Sequence, residues 1–198
     1  MQHSEEEILA LHRKYAASDA VFELIYTHCQ IVRDIALDLI EISRLPLDIE
    51  LVTTGAMVHD IGVYELFNAN GTLKPNMHYI QHGVKGEGIL QNEGFPEILC
   101  RFASHHTGVG LTKEDVITQG LPLPVTDYMA ATDEELLVMY ADKFHSKSPP
   151  PMFNSYESYR IHVSRFGIDN VERFDAMAAK FGKPDLAKYQ TRYGFEIQ

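Results

Sequence analysis

The chain has 198 residues, enough for one domain with a sizeable core, and 45% of them are hydrophobic, an ordinary share for a globular protein. Twenty-eight acidic against 17 basic residues give a net charge of -11, which argues against a nucleic-acid polymer or an anionic membrane as a partner, because both require a basic face. A small phosphorylated ligand survives this exclusion, since bound cations reverse a local field. The N-terminus, MQHSEEEILALHRKY, is acidic and amphipathic, so it is not a signal peptide. Ser4 with Glu7 forms a capping box that opens a helix to about Tyr15. Asp19 is the expected cap of the next helix, whose apolar stripe runs through Val21, Leu24, Ile25, Val32, Ile35, Ala36 and Leu39, with His28 on the same stripe. Pro46 interrupts, and Asp48 caps a third helix reaching about His59. Residues 68–76, NANGTLKPN, form a loop, and a fourth helix covers about 78–92. Pro96 starts a fifth helix that ends near His106. A short helix and a Pro-containing loop fill 107–131, and a second capping box, Thr132 with Glu135, opens a helix to about His145. SKSPPP breaks the chain before helices at about 154–166, 170–181 and 184–191.

Few segments alternate with period two, so no sheet is expected. The expected architecture is an all-α, single-domain bundle of about seven to nine helices, with the C-terminal helices of 152–198 packed on a core of about 20–147. Cys29 and Cys100 lie in helical sequence and read as free thiols. No apolar run is long enough to span a bilayer, and the reading is a cytoplasmic protein.

The unusual feature is polar. His28 lies on an apolar stripe, His59-Asp60 end the third helix, His82 lies in the fourth, His105-His106 end the fifth, and Asp142 lies on the helix after the second capping box. One buried histidine is ordinarily a hydrogen-bonded core residue. A buried carboxylate needs a partner or a metal, and one cation would account for all of these positions together.

The order His28, His59-Asp60, Asp142 resembles the HD-domain superfamily of metal-dependent phosphohydrolases, and the segments HDIG, QHGVKGEGIL, SHHTGVG and YADKF extend the resemblance to its binuclear branch. The resemblance covers roughly residues 20–147 and implies a helical bundle of the HD-domain type. It implies that His28, His59, Asp60 and Asp142 hold a first metal. Asp60 would bridge to a second metal that His82 and one of the adjacent pair complete. The TG after the pair favours His105 by likeness to dinucleotide-polyphosphate hydrolases, and the HD-GYP branch keeps His106 as a second candidate. Val63 stands where HD-GYP enzymes have Lys, and HHTGVGLT lacks their full signature, which speaks against cyclic di-GMP.

The function implied is hydrolysis of a small phosphorylated metabolite, a nucleotide or dinucleoside polyphosphate, by a hydroxide held between two divalent ions. His59 and Asp60 would be its catalytic residues. Iron or manganese is preferred by resemblance, and Mg, Co, Ni or Zn suit the same mixed ligation. Lys85, Arg101, Lys143, His145 and Arg160 are the candidate substrate contacts, Lys147 is a further nearby cation, and Tyr159, His162 and Arg165 share a candidate lid helix with Arg160. A homodimer is compatible with the sequence. The alternative is a di-iron oxygenase similar to myo-inositol oxygenase, since one fold serves unrelated reactions.

Overall fold

The computed structural model describes residues 3–198, which are predominantly helical. Helix α1 (Glu5–Tyr15) opens with the expected reciprocal capping box between Ser4 and Glu7. Helix α2 (Asp19–Ser43) is the spine of the molecule. Ser18 caps it by accepting from the Val21 N–H, while Asp19 becomes the first helical residue, where its charge meets the helix dipole. Helix α3 (Ile49–Val58) is capped by Asp48, which accepts from the Glu50 and Leu51 N–H groups. A single turn, α4 (Val63–Leu66), follows the His-Asp pair. A 3-10 turn at Tyr79–Gln81 then leads into α5 (His82–Asn92) and α6 (Glu97–Ser104).

After α7 (Lys113–Thr118), helix α8 (Asp133–Asp142) is capped by Thr132. Glu135 does not complete that capping box, because Arg101 and the Ala131 N–H take its carboxylate. Helix α8 stops at Asp142, short of the expected end at His145. His145 lies instead in strand β1 (His145–Ser146), which pairs antiparallel with β2 (Met152–Phe153), and β2 pairs parallel with β3 (Glu196–Ile197). Strands of two residues carry no alternation, which is why the sequence does not announce this sheet. Helices α9 (Tyr156–Val163), α10 (Ile168–Phe181) and α11 (Ala187–Tyr193) complete the order, with a 3-10 turn at Ser164–Phe166 between α9 and α10.

Two apolar clusters hold these elements. One joins Ile31, Ile35 and Leu39 of α2 to Tyr140 of α8 and to Phe153, Phe174, Phe181 and Tyr189 of the C-terminal segment. The other joins Phe22, Ile25 and Cys29 of α2 to α1, α3, α5 and α6. His28 lies on α2 where the first cluster gives way to the second. Cys29 and Cys100 are free and buried. No described helix is long and apolar enough to cross a membrane.

Helix α1 is fixed to α3 through a polar bridge. His12 donates from Nε2 to the Met57 carbonyl at 2.7 Å, so its Nδ1 accepts from the Tyr64 hydroxyl at 2.9 Å. Burial lowers the His12 pKa to about 4. The unfolded chain therefore binds this proton below about pH 6.5 while the folded chain does not until about pH 4. Stability falls as pH drops through that window, by about 3 kcal/mol in all from this group. Denaturant midpoints across pH 4 to 7 should show a shallower acid loss in His12→Gln than in the wild type.

The glycine of HDIG has a packing role. A Cβ on Gly62 would lie 2.0 Å from the His82 carbonyl oxygen and 2.3 Å from the Gly86 nitrogen. Only a glycine lets the turn after Asp60 rest on the α5 backbone, and this contact sets His82 beside Asp60. Because the atoms met are backbone, they cannot rotate away. Gly62→Ala is expected to cost about 3 kcal/mol. Thermal unfolding should register this as a midpoint lowered by roughly 6–12 °C.

Candidate metal centre

Asp60 is fully buried, and neither of its oxygens accepts a well-formed hydrogen bond. Its Oδ2 faces His28 Nε2 at 3.2 Å and His59 Nε2 at 3.7 Å. Its Oδ1 faces His82 Nε2 and His106 Nε2, each at 3.6 Å. Asp142 Oδ1 closes the first set, at 3.0 Å from His28 Nε2 and 3.6 Å from His59 Nε2. Asp60 thus offers one oxygen to each of two groups of imidazoles.

Local backbone fixes the tautomers. His59 Nδ1 lies 2.7 Å from the Ala56 carbonyl, His82 Nδ1 lies 2.7 Å from the Tyr79 carbonyl, and His106 Nδ1 lies 3.0 Å from the Phe102 carbonyl. A carbonyl only accepts, so each Nδ1 carries a proton, and each ring, once neutral, turns a lone pair at Nε2 into the centre. His82 Nε2 and His106 Nε2 are only 2.9 Å apart, and His59 Nε2 and His28 Nε2 are 3.3 Å apart. Imidazole nitrogens converging on one another and on the Asp60 carboxylate form a compact set of potential ligand atoms. Neutral imidazoles with carboxylates are ligands that divalent cations take, so the residues present fit such ions. Three overlapping triads, His28-His59-Asp60, His59-His106-Asp142 and Asp60-His82-His106, could hold a metal.

The electrostatics favour neutral rings at His82 and His106, while at His59 burial opposes charge but the Asp60 carboxylate outweighs it and raises the pKa well above the usual imidazole range, so a cation bound there would displace a proton. Burial lowers the His82 pKa to about 3 and also lowers that of His106, which keeps both rings neutral. Burial opposes ionisation of Asp60, but Lys147 and His59 outweigh it and hold the carboxyl well below its usual range. Asp142 is held low in the same way, against its burial, by Lys143 and His28. The Lys147 ammonium contacts Asp60 Oδ2, and Lys143 Nζ lies 2.6 Å from Asp142 Oδ2 and donates to the His106 carbonyl at 2.9 Å.

His28 alone takes its Nδ1 partner from a side chain, the Nδ1 of His145 at 2.8 Å. His145, expected as a substrate contact, is buried, with its ring against Phe153 and Phe195. His145→Phe keeps this packing and removes the acceptor. It is expected to weaken binding at the His28 triad by about 10–100-fold, as competition with a chelator would measure.

The other expected contacts separate. Of the adjacent pair, His106 joins the cluster and His105 turns away. His105 Nε2 accepts from Arg101 at 3.0 Å, and its Nδ1 lies 2.6 Å from Ser104 Oγ. A rotation of about 100° between neighbours in a helical turn sends the two rings to opposite sides. Three expected substrate cations are occupied elsewhere. Lys85 pairs with Glu65 at 3.1 Å, Arg101 grips Glu135 at 2.7 and 3.1 Å, and Arg160 grips Asp175 at 2.9 and 3.1 Å. None of the three lines the cavity of about 540 Å³ that reaches the centre at Asp142. Lys143 and His145 do line it, together with Tyr79, Lys147, Tyr159, His162 and Arg165. Tyr79 went unread in the sequence. Its signal was its position three residues before His82, whose ring centroid lies 4.8 Å away.

A family model described as HD domain matches residues 25–147. The chain belongs to the HD-domain family. Two solved structures of the Listeria monocytogenes phosphodiesterase PgpH HD domain share the HD fold with it. One matches with a TM-score of 0.51 at 16% identity, covering 87% of this chain and 95% of that one. The other, in complex with cyclic-di-AMP, matches with a TM-score of 0.52 at 15% identity, covering 89% and 97%. Among curated proteins, an uncharacterised Methanocaldococcus jannaschii protein is 38% identical over 61% of this chain and 65% of its own length. A Picrophilus torridus tRNA (cytidine(56)-2'-O)-methyltransferase is 30% identical over 76% of this chain and 41% of its own length. A Thermoplasma volcanium protein of the same name is 32% identical over 70% and 35%. This HD chain thus spans less than two thirds of each of these curated relatives.

Proposed function

We propose that this chain is a metal-dependent phosphohydrolase acting on a small phosphorylated metabolite, with a nucleotide as the favoured class. The reading is supported above all by Asp60, which turns one orphaned oxygen to each of two imidazole groups. His28, His59, Asp60 and Asp142 would hold one divalent ion, and Asp60, His82 and His106 a second, with iron or manganese preferred. Bound there, such ions polarise a phosphoryl group and acidify water.

The chain's own residues do the rest. The carbonyls of Ala56, Tyr79 and Phe102 hold the imidazoles in the ligating tautomer. Lys143 fixes Asp142 and lines the cavity, where its positive charge favours a phosphate. Lys147, on the same wall, adds a second positive charge beside Asp60. These lysines offset the Asp60 and Asp142 carboxylates at the wall where an anion would enter. A nucleotide is further supported by the PgpH neighbour solved with cyclic-di-AMP. Because α9 and the β1–β2 turn wall the cavity, we read the C-terminal helices as part of the same functional unit.

The test is a phosphate-release screen over nucleotides, sugar phosphates and an aryl phosphate with added manganese. Release that is lost in His59→Ala supports the reading. Release that is unaffected by His59→Ala, or turnover that needs O2 and reduced iron, sinks it.

A further inference from the structure

The cavity that reaches the centre at Asp142 extends along α9, beyond the residues that the HD family model matches. Ser158, His162 and Arg165 share the face of α9 and its 3-10 extension that lines it. The N-terminal end of this face is the inner one. There Asn154 donates to the Lys143 carbonyl at 2.9 Å, and the charges of Lys143 and Asp142 act on Tyr159. Arg165 lies seven residues beyond Ser158, past the C-terminal end of α9, and is exposed.

The outer cation is uncommitted. Among the described residues, Arg13, Arg33, Arg101, Arg160, Arg173 and Arg192 each have a carboxylate within 4.0 Å; Arg44 and Arg165 have none, and of these two only Arg165 lines the cavity. Asp142 carries the only acidic side chain among the lining residues, and Lys143 already pairs with it. A chain of net charge -11 has carboxylates to spare, yet leaves a guanidinium bare at the mouth of its cationic cavity. A free guanidinium presents a planar fork of donors suited to a phosphate or a carboxylate.

We propose that Arg165, with His162 beside it, is a specificity-determining group that reads a second anionic group on the substrate. That group lies at the far end of a cavity wall that rises on the order of 10 Å from Ser158 to Arg165. This rests on the proposed phosphohydrolase reading and adds the substrate class: a small metabolite with anionic groups at both ends. A metabolite with a single phosphate at one end leaves Arg165 unused.

The test is binding to the manganese-loaded full chain by calorimetry. The probes are α,ω-alkane bisphosphonates of increasing length, the alkyl monophosphonates of matched length, and ω-phosphonoalkanoates carrying a carboxylate as the second anion. One bisphosphonate or phosphonoalkanoate length should bind about tenfold or more tightly than its monophosphonate. The better of the two series tells whether the outer group is a phosphate or a carboxylate. Arg165→Ala and Arg165→Glu should collapse that ratio to near unity, and Arg165→Lys should restore part of it. Arg165 is exposed, so metal content should serve as the check that each variant is intact. The inference is overturned if no length gains over its monophosphonate, or if the gain survives Arg165→Glu. Absence of binding by every probe, including the monophosphonates, overturns the phosphohydrolase reading along with it.

Discussion

Asp60→Asn is expected to abolish metal-dependent phosphate release and to lower metal affinity by more than about 100-fold. The substitution keeps the volume of the side chain. It removes the negative charge that offsets two cations and turns an amide N–H₂, a donor, toward imidazole nitrogens that carry lone pairs. Either oxygen of the carboxylate has a counterpart in one of the two imidazole groups, so the single change damages both. Metal at about 100 times its dissociation constant should stabilise the wild type by about 2.7 kcal/mol. For a chain of this size that is a rise of roughly 5–10 °C in unfolding midpoint. The same addition should leave the midpoint of the Asp60→Asn variant where it was. An equal rise in both proteins would remove Asp60 from the centre.

The second large effect separates two neighbours. His106→Ala should cost one metal equivalent and phosphate release, because its Nε2 faces Asp60 Oδ1 and His82. His105→Ala should keep the wild-type metal content. Its cost is structural, about 1–2 kcal/mol, since it strips partners from Arg101 and Ser104. Metal analysis of the two purified variants decides the matter, and the reverse pattern would mean that the ring of His105 is the ligand.

Much of this cluster was legible because its candidate ligands sit at positions that helical periodicity marks as buried. His28 falls on the apolar stripe of α2 and Asp142 on the helix opened by Thr132, so their convergence was implied by the amphipathic pattern. The orientation of the adjacent histidines was not legible. Both follow α6, and only the geometry of its final turn decides which ring points inward. The substrate contacts were misread for a different reason. Lys85, Arg101 and Arg160 are neutralised by Glu65, Glu135 and Asp175, which lie 20, 34 and 15 residues away in the chain. No local pattern reports such partners, so helical proximity to a ligand was a poor guide to a free charge. The three two-residue strands were invisible for want of length, although they carry His145 to His28.

The central claim is that two cations share Asp60. Titration of the anaerobically prepared protein with Mn(II), followed by electron paramagnetic resonance, tests it most directly. Two equivalents should bind, and the spectrum at saturation should be that of an exchange-coupled pair, because a common carboxylate joins the ions. Binding of no ion, or of isolated ions whose spectra simply add, would contradict the account.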